Sequence, residues 1–393
     1  MKHKVIISKD ILIPAYLPVY GNRYWATPHI DELASKGTIF LRHYSCAPST
    51  AMAMTGMFTG KFPYELERKD YSVVQDYDGT TLFDYMYEKG YSCHLMWSHN
   101  YIVMAERYSK CFGKHTIHHE DRKLNQSVGV HMPRDMSVND LQPNKQLERE
   151  TMSYLKDEIE SIDTTKPVFL WVHLPHVLLG RTGYGQDIDL FDEFVGYVRR
   201  KFGDWIIITA DHGNMNGARG KTTYGFDVYE QAARIPMITP RLQDLEIINF
   251  PTSNIQLSDI VLKEEIPKLE FVICDSQYYA QPYRKTAIIH GKFKFIYNKL
   301  NKLEELYDLD YDPMEQVNLL KNLLHDDDRG RYVNVKQVYF YPYWDEAMSE
   351  YTFIKQFFDK IWKTASKHEE QKNFIIRKLK NYKAAIKRNI GLK

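Results

Sequence analysis

Short apolar runs alternate with helix-patterned stretches along the first 210 of the chain's 393 residues, and this alternation narrows the fold more than any other feature. Lys4-Val-Ile-Ile-Ser8, Thr38-Ile-Phe-Leu41, Tyr91 to Trp97, Pro167-Val-Phe-Leu-Trp-Val-His173 and Trp205-Ile-Ile-Ile-Thr-Ala210 each read as a buried strand. Thr27 to Gly37 reads as a helix with Thr27 as cap, Pro28 as its first residue and Gly37 as its stop. Thr81 to Gly90 and Asp189 to Lys201 read as two more. The expected class is therefore α/β, with a large, mostly parallel sheet flanked by helices.

From about residue 251 the pattern loosens. Phe271–Cys274, Thr286–His290 and Phe293–Tyr297 look like shorter antiparallel strands, the last two joined by a Gly291-Lys292 turn. The expected division is a catalytic α/β domain over 1–250, a smaller α+β part over 251–325, and an aromatic segment with a basic helical tail over 326–393. Residues 112–150 are polar and read as a surface excursion. Residues 351–393 carry twelve Lys and Arg against three acids. Phe353, Ile354, Phe357, Phe358, Ile361 and Trp362 fit a helical spacing there, so the tail reads as basic amphipathic helices. Such helices suit packing on the body or peripheral contact with a membrane surface.

Composition excludes some classes. Hydrophobic residues are 44% and aromatics 14%, too many for a disordered chain. Lys and Arg total 52 against 51 acids, which argues against a nucleic-acid coat. The four cysteines lack metal-like spacing, so reduced thiols are expected. With no signal-peptide pattern and no apolar run of about 18 residues, a cytoplasmic location is expected.

Functional residues of open parallel sheets gather at the carboxyl ends of strands. Asp10 follows the first run, Cys46 follows the second, and Asp211-His212-Gly213 follows the run Trp205–Ala210. Two carboxylates and an imidazole suit one divalent ion, which would bind an ester oxygen and offset charge in a transition state. Cys46 precedes Ala47-Pro48-Ser49-Thr50 at what reads as the first turn of a helix, where orphan N–H groups and the dipole stabilise an anion and lower a thiol pKa.

Cys46-Ala-Pro-Ser with Thr55-Gly and Thr59-Gly resembles the sulfatase signature of the alkaline phosphatase superfamily. Tyr20-Gly, Ala26 to Ala34, Trp171-Val-His-Leu-Pro-His176, Ile208 to Gly213, Gly220-Lys221 with Tyr229-Glu230 and Arg234-Ile-Pro236, and Glu305 to Leu319 resemble further elements of the family, from residue 4 to about 320. The resemblance implies an alkaline-phosphatase-like sandwich. It implies that Asp10, Asp211 and His212 hold one divalent metal, calcium first, with manganese, magnesium or zinc as alternatives. It implies Cys46 as nucleophile, as a thiolate or as formylglycine. His176 and Lys221 would bind the ester's anionic oxygens or protonate the leaving group, with Ser49, Thr50 and His99 as further substrate contacts. His176 also suits a loop cap, Lys221 a solvated loop, and His173 a satisfied core position.

Some positions depart from the family. Thr50 stands in place of the arginine that the family's modifying enzymes read, which counts against formylglycine at Cys46. Lys9 stands where many sulfatases have a metal carboxylate. The expected function is metal-dependent hydrolysis of a sulfate or phosphate ester, with a sulfated or phosphorylated carbohydrate as substrate. The alternatives are a cytosolic phosphoethanolamine- or phosphoglycerol-type transferase acting on a glycan or lipid-linked intermediate, and a non-catalytic relative. Oligomeric state is left open.

Overall fold

The computed structural model describes residues 1–66, 77, 79–97, 117–119, 145–174, 179–180, 183–185, 187–276, 284–322 and 341–362. Its strands begin with β1 (Lys4–Lys9), β2 (Thr38–Tyr44), β3 (Ser92–Trp97), β4 (Ile117–His119), β5 (Val168–Leu174), β6 (Leu179–Gly180), β7 (Gly183–Tyr184), β8 (Ile206–Thr209), β9 (Arg234–Thr239), β10 (Ile247–Ile248) and β11 (Thr252–Ser253). The five runs read from the sequence are β1, β2, β3, β5 and β8. The large sheet runs β10-β2-β9-β8-β1-β5-β3-β4, with β11 also on β2. β9 is antiparallel to its neighbours β2 and β8, and every other pairing in this sheet is parallel. β6 and β7 form a separate two-stranded sheet among the described residues.

The helices are α1 (Pro28–Lys36), α2 (Thr50–Thr59), α3 (Leu82–Glu88), α4 (Lys145–Glu160), α5 (Ile188–Phe202), α6 (Glu230–Ala233) and α7 (Leu257–Lys263). Strand alternation sends Val5, Ile7, Leu170, Val172 and Ile208 to one face of the sheet, where they pack with residues of α1, α4 and α5. Ile6, Phe169, Trp171 and Ile207 go to the other, with residues of α2, α3 and α7. Each fully buried side chain of this size contributes about 1.5–3 kcal/mol, so the two-faced pattern drives a three-layer fold. All ten residues of α2 are buried, as a helix enclosed on every side requires.

The smaller antiparallel sheet, β12 (Val272–Asp275), β13 (Lys285–His290), β14 (Phe293–Asn298) and β15 (Leu303–Asp308), follows in order. Gly291 turns the β13–β14 hairpin at φ 53°. The Asp275 N–H donates to the Cys46 carbonyl at 2.9 Å, which fastens this sheet to the loop after β2. Behind it, buried Lys294 pairs with Glu230 at 3.0 Å and with Glu315 at 2.9 Å. Glu315 also accepts the Glu230 N–H, so the segment 305–319 serves the fold as a polar clamp.

The expected surface excursion needs correction at its end. Residues 145–150 open α4, and Glu148 is buried because it faces the Lys9 ammonium at 3.1 Å. The earlier part of that stretch, apart from β4, lies outside the described residues.

The chain divides into two compact units, Met1–Lys321 and Asn322–Lys393. In the second, residues 344–362 are helical, with Ala347, Ile354, Phe358 and Ile361 buried and Phe353 exposed. The remainder of the basic tail lies outside the described residues. Among the described residues no helix is long and apolar enough to cross a membrane.

Candidate active site and metal centre

Four parallel strands end at one edge of the large sheet. β1 delivers Asp10, β5 delivers His173, β8 delivers Asp211 and His212, and β2 leads into the loop that starts α2. Ligand atoms of Asp10, His173 and Asp211 all lie within 4.8 Å of one another, and all three residues are fully buried. His212 Nε2 stands 3.6 Å from Asp10 Oδ1 and 3.4 Å from Asp211 Oδ2. The structure thus brings together the three residues expected to hold a metal. It adds His173, whose Nε2 is 3.9 Å from Asp211 Oδ2.

His173 is buried, as a core reading requires, but register decides its role. It pairs with Ser8 across β1 and β5, at the end of the sheet. Its Nδ1 lies 2.8 Å from Ser8 Oγ, which also accepts the Trp171 indole N–H at 2.9 Å. The Pro-His pattern drew attention to His176 instead. The available signal was position: His173 occupies the last turn of pleat in a strand adjacent to Asp10.

Burial and the neighbouring charge of Asp10 push the Asp211 carboxyl up to about 6. The His212 ring, its backbone N–H and the Thr50 hydroxyl pull in the opposite direction. Two carboxylates enclosed side by side among imidazoles form a donor set that a divalent cation fits.

His212 has a defined tautomer in its neutral form. Nδ1 lies 2.8 Å from the Gly213 carbonyl oxygen, which can only accept, so Nδ1 carries the proton and Nε2 presents a lone pair. The Tyr224 ring packs on the imidazole with centroids 4.6 Å apart, restraining its plane. Thr50 Oγ1 is 3.1 Å from Nε2. Thr50 is the first residue of α2, and Ser49, also buried, is its N-cap through the main chain.

Cys46 differs from its expected placement. It sits in the loop before α2 rather than in the first turn, and its N–H donates to Asn254 Oδ1 at 3.0 Å. Asn254 Nδ2 reaches Ser45 Oγ at 3.3 Å, so this residue, unsuspected from sequence, positions the loop. The Cys46 sulfur is turned onto α2, 3.9 Å from the carbonyl oxygens of Met52 and Ala53. A Cβ at Gly56 would collide with it. Burial pushes the thiol well up, the reverse of the lowering expected at a helix start. Desolvation outweighs the dipole because the sulfur lies against the helix flank.

Lys221 is partly exposed, and its ammonium binds Asp227 at 2.7 and 2.9 Å. Burial opposes the charge on Asp227, but hydrogen bonds from Lys221 and Lys285 hold its carboxyl below the usual range. Lys221 is thus engaged by Asp227 in this structure. Lys9 turns to the sheet face opposite Ser8 and binds Asp187 at 2.6 Å and Glu148 at 3.1 Å. His99 and His176 lie outside the described residues.

The sulfatase family profile matches residues 5–177. A choline-sulfatase of Rhizobium meliloti (strain 1021) is 28% identical over 179 residues, 37% of this chain and 34% of the relative. An ulvan-active sulfatase of Formosa agariphila is 31% identical over 102 residues, 22% of this chain and 17% of the relative. The chain thus spans a third or less of the curated relatives it matches. Among solved structures, BT4656 in complex with its substrate D-glucosamine-2-N,6-O-disulfate superposes with a TM-score of 0.63 at 13% identity, over 93% of this chain and 98% of that one. The phosphonate monoester hydrolase of Agrobacterium radiobacter gives 0.62 at 14%, over 94% and 96%. At those identities the likeness is one of fold.

Proposed function

We propose, from the sulfatase match over residues 5–177 and the likeness to a choline-sulfatase, that the chain is a metal-dependent hydrolase of sulfate or phosphate esters. The observation that carries this reading is the buried grouping of Asp10, His173 and Asp211, with His212 and Thr50 beside it, at the carboxyl edge of the sheet. Asp10, Asp211, His212 and His173 would hold the ion, which supplies Lewis-acid stabilisation of an ester oxygen when bound. Imidazole nitrogens beside carboxylates favour zinc or manganese over calcium, which takes oxygen ligands. This donor set reverses the order expected from family resemblance alone. The substrate class is proposed as an anionic ester of a carbohydrate, in line with the glucosamine disulfate bound by BT4656.

The protein's own groups supply orientation. Ser8 and Gly213 hold the two imidazoles by their Nδ1 atoms, and Tyr224 restrains the His212 plane. The test is metal analysis of the purified chain, followed by turnover of aryl sulfates and of phosphate mono- and diesters. Chelation should abolish turnover, with zinc or manganese restoring it and calcium failing to do so. Full turnover after complete removal of metal would overturn the reading.

A further inference from the structure

We infer that the Thr50 hydroxyl oxygen is a further ligand of the ion held by Asp10, His173, Asp211 and His212. The inference rests on the proposed metal-dependent function and adds a neutral oxygen donor to its site. The first observation is which nitrogen Thr50 meets. A group that only orients a ligating imidazole stands behind it, at the nitrogen turned away from the ion. For His212 that place is taken by the Gly213 carbonyl, 2.8 Å from Nδ1. Thr50 Oγ1 lies instead 3.1 Å from Nε2, the nitrogen that also faces Asp10 Oδ1 at 3.6 Å and Asp211 Oδ2 at 3.4 Å. The Thr50 hydroxyl is within hydrogen-bond reach of Asp211 as well. Donor atoms that share one zinc ion at about 2.1 Å stand roughly 3–3.4 Å from one another. Thr50 Oγ1 keeps that spacing from Nε2 and is on the side of the ring where the carboxylates converge.

Local structure explains why this threonine, of the three in α2, turns to the site. Thr55 and Thr59 donate to the carbonyls one turn back, those of Ala51 and Thr55, each at 2.7 Å. For Thr50 the carbonyl one turn back belongs to Cys46, in the loop ahead of the helix, and it accepts the Asp275 N–H. Thr50 is buried at the start of a helix enclosed on every side, so the backbone that carries its hydroxyl is fixed against the β8 edge. A hydroxyl has two lone pairs and one proton, so its oxygen can face a cation while its proton goes to Asp211. His212 Nε2 then needs no proton from it, because both atoms present lone pairs to the same ion. An arginine in this place could only donate and would repel a cation, whereas threonine can help to hold one. The Cys46 sulfur, turned onto the flank of α2, is outside this grouping.

The experiment loads the reduced full chain with cobalt(II), a spectroscopically visible substitute for zinc, after circular dichroism has shown each variant to be folded. Thr50→Cys puts a sulfur where Oγ1 stands. It should give a sulfur-to-cobalt charge-transfer band in the near ultraviolet that the wild type, Thr50→Ser and Thr50→Val lack. Zinc affinity, measured by competition with a chromophoric chelator, should fall by about tenfold or more in Thr50→Val, which keeps the shape and removes the oxygen, and Thr50→Ser should restore it. Lost affinity alone would also follow from a group standing behind a ligand, whereas the sulfur band reports contact with the ion itself. A folded Thr50→Cys chain that binds cobalt without the band, or wild-type zinc affinity in Thr50→Val, overturns the ligand assignment and leaves the metal-dependent function standing. A wild-type chain that binds neither zinc nor cobalt removes both.

Discussion

Two buried charge clusters flank the end of β1, one on each side of the same strand, and they are built on opposite terms. On one side Lys9 meets Asp187 and Glu148, so a cation sits among the acids that enclose it. On the other, Asp10 and Asp211 face His173 and His212, rings that carry charge only when protonated. Burial alone does not separate them, since all are nearly or wholly hidden from water. The first cluster carries its counter-charge in the chain. The second gathers two carboxylates, and burial together with the neighbouring charge of Asp10 raises the Asp211 carboxyl.

The comparison is tested most severely from the Lys9 side. Lys9→Met strands two enclosed carboxylates and should destabilise the fold by about 3–5 kcal/mol, read by chemical denaturation. Adding Asp187→Asn and Glu148→Gln to it should recover most of that loss. A Lys9→Met protein as stable as the wild type would show that the triad is not a closed charge set.

Asp211→Asn should act in the opposite sense. Removing one of two apposed carboxylates should stabilise the metal-free protein by roughly 2 kcal/mol while removing metal binding. The pH dependence gives the sign independently. The folded carboxyl titrates at about 6 and an unfolded one near 4, so the folded state binds the extra proton between those values. The Asp211 contribution to stability is therefore present below about pH 4 and lost as pH rises through about 6. The difference between wild-type and Asp211→Asn melting curves, taken metal-free across that window, isolates it from other groups. Saturating zinc should flatten the difference curve. A flat curve without metal would mean that neither burial nor Asp10 raises the Asp211 carboxyl.

Most of the fold was legible because burial on two faces writes itself as unbroken apolar runs. β1, β5 and β8 are read from Val5-Ile-Ile, Val168 to Val172 and Ile206 to Ile208 alone. The strand ends then located Asp10, Asp211 and His212. What the sequence did not disclose depends on side-chain direction across elements far apart in the chain. The alternation that turns Lys9 away from Asp10 is written in the sequence, but its partners are contributed by residues 148 and 187. Cys46 carries the letter of a nucleophile, yet the gap at Gly56 draws its sulfur onto α2. Thr50 reads as a missing arginine until the β8 edge is placed beside the start of α2. His173 reads as core because it is core, and only its register with Ser8 brings its second nitrogen to the carboxylates.

The smallest effect separates a histidine that ligates from one that merely packs. The Ser8 hydroxyl has one proton and already accepts from the Trp171 indole. It can accept the Nδ1 proton of His173 at 2.8 Å and donate its own to the Val172 carbonyl at 3.5 Å. In that tautomer Nε2 is bare and able to bind a cation; in the other, Ser8 donates to Nδ1 and Nε2 carries a proton toward Asp211. Ser8→Ala removes the group that holds the ring and sets its tautomer. If His173 is a ligand, zinc affinity measured by competition with a chromophoric chelator should fall by about tenfold, the usual scale for a partner lying behind a ligand. The imidazole nitrogen resonances of His173 should also shift on zinc binding in the wild type. Unchanged affinity together with unshifted nitrogens would confine His173 to the core and leave the cation to Asp10, Asp211 and His212.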